Sequence, residues 1–294
     1  MRIDKNAKKA LLTAAAAALV IIICVVVYVK EKEKKMMPQD YPFCVCFLNV
    51  GQGDCELIRC DGVNVLIDGG EAEYGYQTEQ YLKACGVEKL DCYILTHPHS
   101  DHIGCSAHII RTFPVDTVMT TAFNEFNMPT TKVYEDMLAA VEETGAQLLT
   151  VSGGESYSFD DLSLKILSPL EETDDYNDMS ITVRAKYKSD TFLFMGDASK
   201  DVETQLLNTK TALSADVLKV GHHGSDSSTG EAFLKAVSPD HAVISCGADN
   251  AFGHPHSSTL QLLEKYGVDV YRTDLNGSVI FYGYGHKLSV WCAS

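Results

Sequence analysis

His97-Pro98-His99-Ser100-Asp101-His102 places three imidazoles and a carboxylate within six residues, directly after the apolar run Leu90-Asp91-Cys92-Tyr93-Ile94-Leu95-Thr96. That run, rich in β-branched and aromatic residues, reads as a short buried strand that stops where the histidines begin. The predicted geometry is a strand end, a tight loop and a helix opening near Ile103. Such a loop aims His97 and His99 at one point, and Asp101 and His102 at a second point nearby. Imidazole with carboxylate suits Zn²⁺, Mn²⁺ or Fe²⁺ and needs no thiolate. Three of the ten histidines fall in these six positions beside an Asp, a density that coincidence in a solvated loop does not produce.

One loop cannot close two coordination spheres, so further ligands are expected downstream. An apolar strand over 191–195 ends at Gly196-Asp197, where a carboxylate can bridge two ions and the glycine lets backbone approach closely. A third strand, over 215–220, ends at Gly221-His222-His223-Gly224-Ser225. Leu218 and Val220 share a face, and continued alternation would make His222 the ligand and leave His223 to meet substrate. Asp216 has the same parity, however, and Gly221 permits a break, so either histidine stays open.

These residues carry a resemblance. His97-x-His99-x-Asp101-His102, Gly196-Asp197 and His222-His223 resemble the successive ligand motifs of the metallo-β-lactamase fold. Asn49-Val-Gly-Gln-Gly-Asp54, Leu66-Ile-Asp-Gly-Gly70, Asn177-Asp-Met-Ser180, Leu218-Lys-Val-Gly-His-His-Gly-Ser225, Gly253-His-Pro255 and Tyr271-Arg-Thr-Asp274 narrow it to the hydrolase domain of the competence protein ComEC and its stand-alone relatives. The similarity runs from about Phe43 to the C-terminus. It implies an α/β fold, an αββα sandwich, with one or two divalent ions (Zn or Mn) and hydrolysis of phosphodiesters, nucleic acid among them. His97, His99 and Asp197 would hold one ion; Asp101, His102, Asp197 and His222 or His223 the other. Asp101 would also orient the attacking hydroxide, and His254 would contact substrate or act as an acid. Asp68 would support the metal loop by hydrogen bonding, while Ser225 and Lys219 are expected against substrate. Many enzymes of this fold carry another histidine between the first motif and the bridging Asp. Here that interval holds only His108, in a helical pattern, so Asn177 and Asp178 are the substitute ligands. Oxygen-rich coordination of this kind shifts preference toward Mn²⁺.

Residues 10–29 contain no charge and are long enough to cross a bilayer as a helix. The expected organisation is a tail over 1–9, a transmembrane anchor over 10–29, a charged linker over 30–41 and one hydrolase domain over 42–294. Four basic residues precede the apolar stretch and four follow it, so the positive-inside rule gives a tie. The short tail and long C-terminal domain favour a single-pass protein of the cell membrane with the domain outside. No protein partner is legible.

Within the domain, strand-like runs are expected over 43–50, 55–59, 63–67, 162–167, 181–187, 243–245 and 278–282, and helical runs over 77–85, 133–144, 200–207, 231–237 and 259–266. This alternation indicates a layered α/β fold. The whole chain carries a formal charge of −16, and residues 41–294 alone hold sixteen basic and thirty-six acidic side chains. A polyanionic backbone wants a basic stripe, so the charge weighs against tight non-specific DNA binding. Ten cysteines without a CxxC pair read mostly as small core residues, with a disulfide such as Cys55–Cys60 open. The expected function is a membrane-anchored metal-dependent hydrolase, most directly a phosphodiesterase. The alternatives are a DNA-uptake accessory or binding module with weak catalysis, and a hydrolase of a non-nucleic ester or wall-linked substrate.

Overall fold

Alternation along the first strand sets the layering. In β1 (Phe43–Phe47), Phe43, Val45 and Phe47 face one core while Cys44 and Cys46 face another. The structure, a computed structural model, describes residue 19 and residues 38–293. β1 belongs to an eight-stranded sheet with β2 (Cys55–Cys60), β3 (Val63–Asp68), β4 (Leu90–Ile94), β5 (Val115–Thr121), β6 (Gln147–Val151), β14 (Val279–Gly283) and β15 (Leu288–Cys292), in the order β15-β14-β1-β2-β3-β4-β5-β6. A seven-stranded sheet holds β7 (Ser156–Phe159), β8 (Leu162–Ser168), β9 (Thr182–Tyr187), β10 (Asp190–Phe194), β11 (Val217–Lys219), β12 (His241–Ile244) and β13 (Asp269–Arg272), in the order β13-β12-β11-β10-β9-β8-β7.

The two sheets pack face to face through Phe43, Phe47, Ile67, Val183, Phe192 and Phe194, all buried. Phe43 stacks on Tyr187 with centroids 4.5 Å apart. The outer face of the first sheet is covered by helices Gly75–Ala84, Ser106–Thr112 and Lys132–Thr144 through Leu82, Ile109, Ile110 and Met137. Helices Lys200–Asn208, Glu231–Val237 and Ser257–Lys265 cover the second sheet through Val202, Leu206, Phe233 and Leu263. Each sheet thus buries both faces, giving the four-layer αββα order.

β3 and β4 run parallel, as do β10, β11 and β12. Their carboxyl ends gather at one edge of the sandwich, where open α/β sheets collect ligands. The nine described cysteines are all free and seven are buried, as expected of core thiols.

One expectation is corrected. Among the described residues no helix is long and apolar enough to cross a membrane, which overturns the reading of a single-pass membrane protein with an outward domain. Apart from Leu19, the stretch 10–29 on which that reading rested lies outside the described residues, as do the tail and most of the linker.

Candidate metal centre

β4 delivers the metal loop. After Ile94 the chain continues through Leu95 and Thr96, and the short helix Ser100–Ile103 begins with His99 at its N-cap. Asp68, at the end of the neighbouring β3, is fully buried and holds this loop at three points. It accepts from Thr96 N at 2.8 Å and Thr96 Oγ1 at 2.6 Å, and its Oδ2 lies 2.7 Å from His102 Nδ1. The other ring nitrogen of His102 is thereby turned toward the centre. Gly53 locks the opposite side. Its φ of +146° and the 2.3 Å that would separate an added Cβ from the Asp101 carbonyl oxygen leave room for no side chain.

Asp197 stands between two groups of donors. Its Oδ2 is 3.8 Å from His97 Nε2 and 3.7 Å from His222 Nε2. Its Oδ1 is 3.3 Å from His102 Nε2 and 3.6 Å from His223 Nε2. Ligand atoms of Asp101, His102, Asp197 and His223 all lie within 4.8 Å of one another, and those of His97, His99 and Asp197 do likewise. Gly196 makes this placement possible, because with φ +52° an added Cβ there would lie 3.1 Å from Ser180 and 3.3 Å from Thr96, and Ser180 Oγ accepts from Asp197 N at 3.1 Å.

The histidine turn departs from the expected alternation. β11 stops at Lys219, and His222 and His223 both adopt left-handed backbone, with φ of 48° and 52°. Leu218 and Val220 pack outward against helices, so their parity does not lead to the centre. His223 is the buried member: its Nε2 is 3.1 Å from Asp101 Oδ2, and its Nδ1 is 3.0 Å from the Ser245 carbonyl oxygen. His222 is more exposed, with Nδ1 3.0 Å from Ser227 Oγ.

Lys219 is not against substrate. It shares the inward parity of Val217, is 1 % exposed, and donates to Asp54 Oδ2 at 2.7 Å. Asp54 in turn lies 3.3 Å from His223 Nδ1. The Gly-rich turn signalled that Asp54 approaches the cleft, but not this pairing. Ser225 also differs from expectation: it is buried in the turn, where its hydroxyl accepts from Ser227 N and Oγ. Asp178 accepts from Ser199 N at 3.2 Å, and so braces the loop after Asp197. Asn177 keeps a buried Oδ1 without a hydrogen-bond partner. His108 lies on a helix surface against Glu79, at 2.7 Å. His254 packs beside the histidine turn, with ring centroids 5.5 Å from His222 and 6.1 Å from His223. Burial and the neighbouring His223 and His222 hold its pKa down at about 4. Thr96 and Ser180, which hold the ligand residues, were given no role from sequence, although each is the last residue of a quoted stretch.

The electrostatics are those of a site short of positive charge. Burial opposes charge on His102 and His223, yet Asp197 beside them raises both, His223 to about 10. Burial pushes His97 well below the ordinary imidazole value. Burial also opposes ionisation of Asp197, but His223 and His102 carry it well below the usual carboxylate range. Buried His102 Nε2 and Asp197 Oδ1 have no hydrogen-bond partner. Orphaned nitrogen and oxygen atoms facing each other, in a pocket of carboxylates, fit a divalent cation.

Comparison with known proteins agrees with this geometry. Residues 48–248 match the model of the metallo-beta-lactamase superfamily. ComE operon protein 3 of Bacillus subtilis (strain 168) is 32% identical over 251 residues, covering 79% of this chain and 32% of that protein. Recombination protein 2 of Haemophilus influenzae is 30% identical over 238 residues, covering 79% of this chain and 28% of that protein. The chain therefore spans about a third of the length of these relatives. In the fold alone, it is similar to Igni18, a metallo hydrolase from Ignicoccus hospitalis, with a TM-score of 0.52 and 18% identity over 82% of this chain and 100% of that one.

Proposed function

The chain belongs to the metallo-beta-lactamase superfamily, with competence-related proteins among its relatives, and on that premise we propose that it is a metal-dependent hydrolase of phosphodiesters. One observation carries the reading. Asp197 is a buried carboxylate whose two oxygens face separate donor groups, the arrangement that a pair of ions requires. His97, His99 and Asp197 Oδ2 would hold one ion, with His222 on the same side. Asp101, His102, His223 and Asp197 Oδ1 would hold the other. An all nitrogen and oxygen donor set suits Zn²⁺ or Mn²⁺. When bound, such ions supply Lewis acidity toward a phosphoryl oxygen and lower the pKa of water toward neutrality.

The chain's own residues do the rest. Asp68 and the Ser245 carbonyl fix the ring orientations of His102 and His223 from behind. Asp101, on the open side of the centre, is placed to accept a proton from an attacking water and to aim it. His254, whose Nδ1 is buried without a partner, stands where it can contact the leaving group. The phosphodiester class is supported by the two donor groups that Asp197 joins, which would hold ions able to supply Lewis acidity to a phosphoryl group, and by relatives named for competence and recombination.

The test is hydrolysis of bis(para-nitrophenyl) phosphate by the full chain loaded with Mn²⁺ or Zn²⁺, beside a carboxylic ester and a β-lactam. Turnover of the phosphodiester, lost on chelation, is expected. Turnover of the ester or lactam alone would overturn the assignment.

A further inference from the structure

Beside the centre lies a cavity of about 930 Å³. It is continuous with the proposed site through Asp101, which lines it and whose Oδ2 is 3.9 Å from the unpartnered His102 Nε2. Its walls also carry Glu71, Glu73, Tyr74, Phe252 and Asp274, and among the described residues no Lys or Arg lines it. Asp274 is neutralised by Arg272 at 2.5 Å. The Glu71 carboxylate accepts from the Ser100 hydroxyl, at 2.8 Å, and Glu73 is exposed. Two carboxylates besides Asp101 therefore line this space with no basic side chain paired to them among the described residues. The wall that bears them is built in: an added Cβ on Gly104 of the metal loop would lie 2.5 Å from Ala72 N and 2.8 Å from Glu71 C, so the segment of Glu71 packs directly on that loop. The aromatic side is equally definite. Phe252 is 66% exposed, and its ring stacks on His254 with centroids 5.6 Å apart and planes 20° from parallel.

A nucleic-acid phosphate that entered this cavity would meet a space lined with carboxylates. At an effective dielectric near 20, like charges at short range repel by a few kcal/mol. An ammonium group there would instead meet opposite charge and an aromatic face, each favourable in a partly desolvated cavity. We propose that the cavity receives the second ester arm of a small phosphodiester whose arm carries an ammonium group, so that the enzyme is selective for cationic phosphodiesters over nucleic-acid strands. The selectivity rests on the hydrolase reading above. It goes beyond that reading by assigning the arm to the cavity and the discrimination to Glu71, Glu73 and Phe252.

The experiment compares the metal-loaded full chain on para-nitrophenyl phosphorylcholine, on bis(para-nitrophenyl) phosphate, and on the latter in competition with single-stranded DNA. The choline ester should show kcat/KM roughly tenfold above bis(para-nitrophenyl) phosphate, whose second arm carries no charge, the factor that about 1.4 kcal/mol supplies, and DNA should compete weakly. Glu73→Gln with Glu71→Gln should lower that ratio several-fold, and Glu73→Lys should lower it further while strengthening competition by DNA. A ratio of one or below, or a ratio that none of these variants moves, overturns the proposal while the hydrolase reading stands. Hydrolysis of neither diester overturns both.

Discussion

Asp197 concentrates the chemistry in one side chain. Asp197→Ala should remove ligands from both donor groups at once, so metal content falls by more than one equivalent and hydrolysis drops by at least about a hundredfold; elemental analysis with kinetics reads both. The paired histidines divide the groups. His223→Ala should lose the ion near Asp101 and His102, while His222→Ala weakens the one near His97, which separates them by which equivalent is lost. Metal content unchanged from wild type in both variants would put this turn outside the coordination sphere. Behind His223, the Lys219–Asp54 pair is almost wholly buried. Lys219→Met leaves Asp54 charged and unpaired, a loss of about 3–5 kcal/mol of stability, visible in urea denaturation and largely recovered when Asp54→Asn is added. At this scale the sequence is read unevenly, for a physical reason. His97 to His102 are legible because their donors are local. The Lys219 pairing is not, because its partner lies 165 positions away, and the choice between His222 and His223 stays open in the sequence, because two left-handed residues replace the alternation there.

Elements carry the site only if the loops between them are held. Glu203, on the helix Lys200–Asn208, accepts from Thr229 N at 2.5 Å and Gly230 N at 2.7 Å, and so ties down the far end of the histidine turn. Burial raises its carboxyl to about 7, even against those two amide donors. A folded-state pKa above the ordinary 4.5 means that the folded protein holds this proton more tightly than the unfolded chain does. The resulting stability is complete below about pH 4.5 and is lost as pH rises through about 7, by up to about 3 kcal/mol. Glu203→Gln should flatten that slope in urea denaturation at about pH 5 and about pH 8; an unchanged slope would assign the pH dependence elsewhere. The strands that periodicity missed are equally instructive. β6, β7, β13 and β15 are the four sheet edges, and their residues are largely half-buried or exposed. An edge strand has little apolar face to display, whereas central strands such as β1 and β10 are buried throughout and were legible. β5 escaped because Asp116 and three threonines interrupt its apolar run.

For the whole molecule, the sandwich brings the ends of β3, β4, β10, β11 and β12 to one edge, and with them a concentration of buried acids: Asp54, Asp68 and Asp197 are each at most 2 % exposed. The net charge of −16 is thus not spread evenly as a solubilising coat; part of it is built into the centre, where it opposes folding unless a cation answers it. The chain's motifs announced a metal site, but this coupling between metal and fold depends on burial, which no motif encodes. A divalent ion that binds the folded centre and not the unfolded chain stabilises by RT ln(1 + [L]/Kd), about 2.7 kcal/mol at a hundredfold excess over Kd. For a domain of this size that corresponds to roughly 5–10 °C in Tm. The Tm of the chelator-treated full chain should therefore rise by that amount on adding Mn²⁺ or Zn²⁺, with Mg²⁺ less effective because it dehydrates reluctantly and prefers oxygen ligands. In Asp197→Ala the apo protein should melt no lower than the apo wild type, since a buried carboxylate has gone, yet the metal-induced rise should collapse. A full rise in that variant would locate the stabilising ion outside the centre, and the absence of any rise in the wild type would mean that the protonated histidines already balance the buried carboxylates.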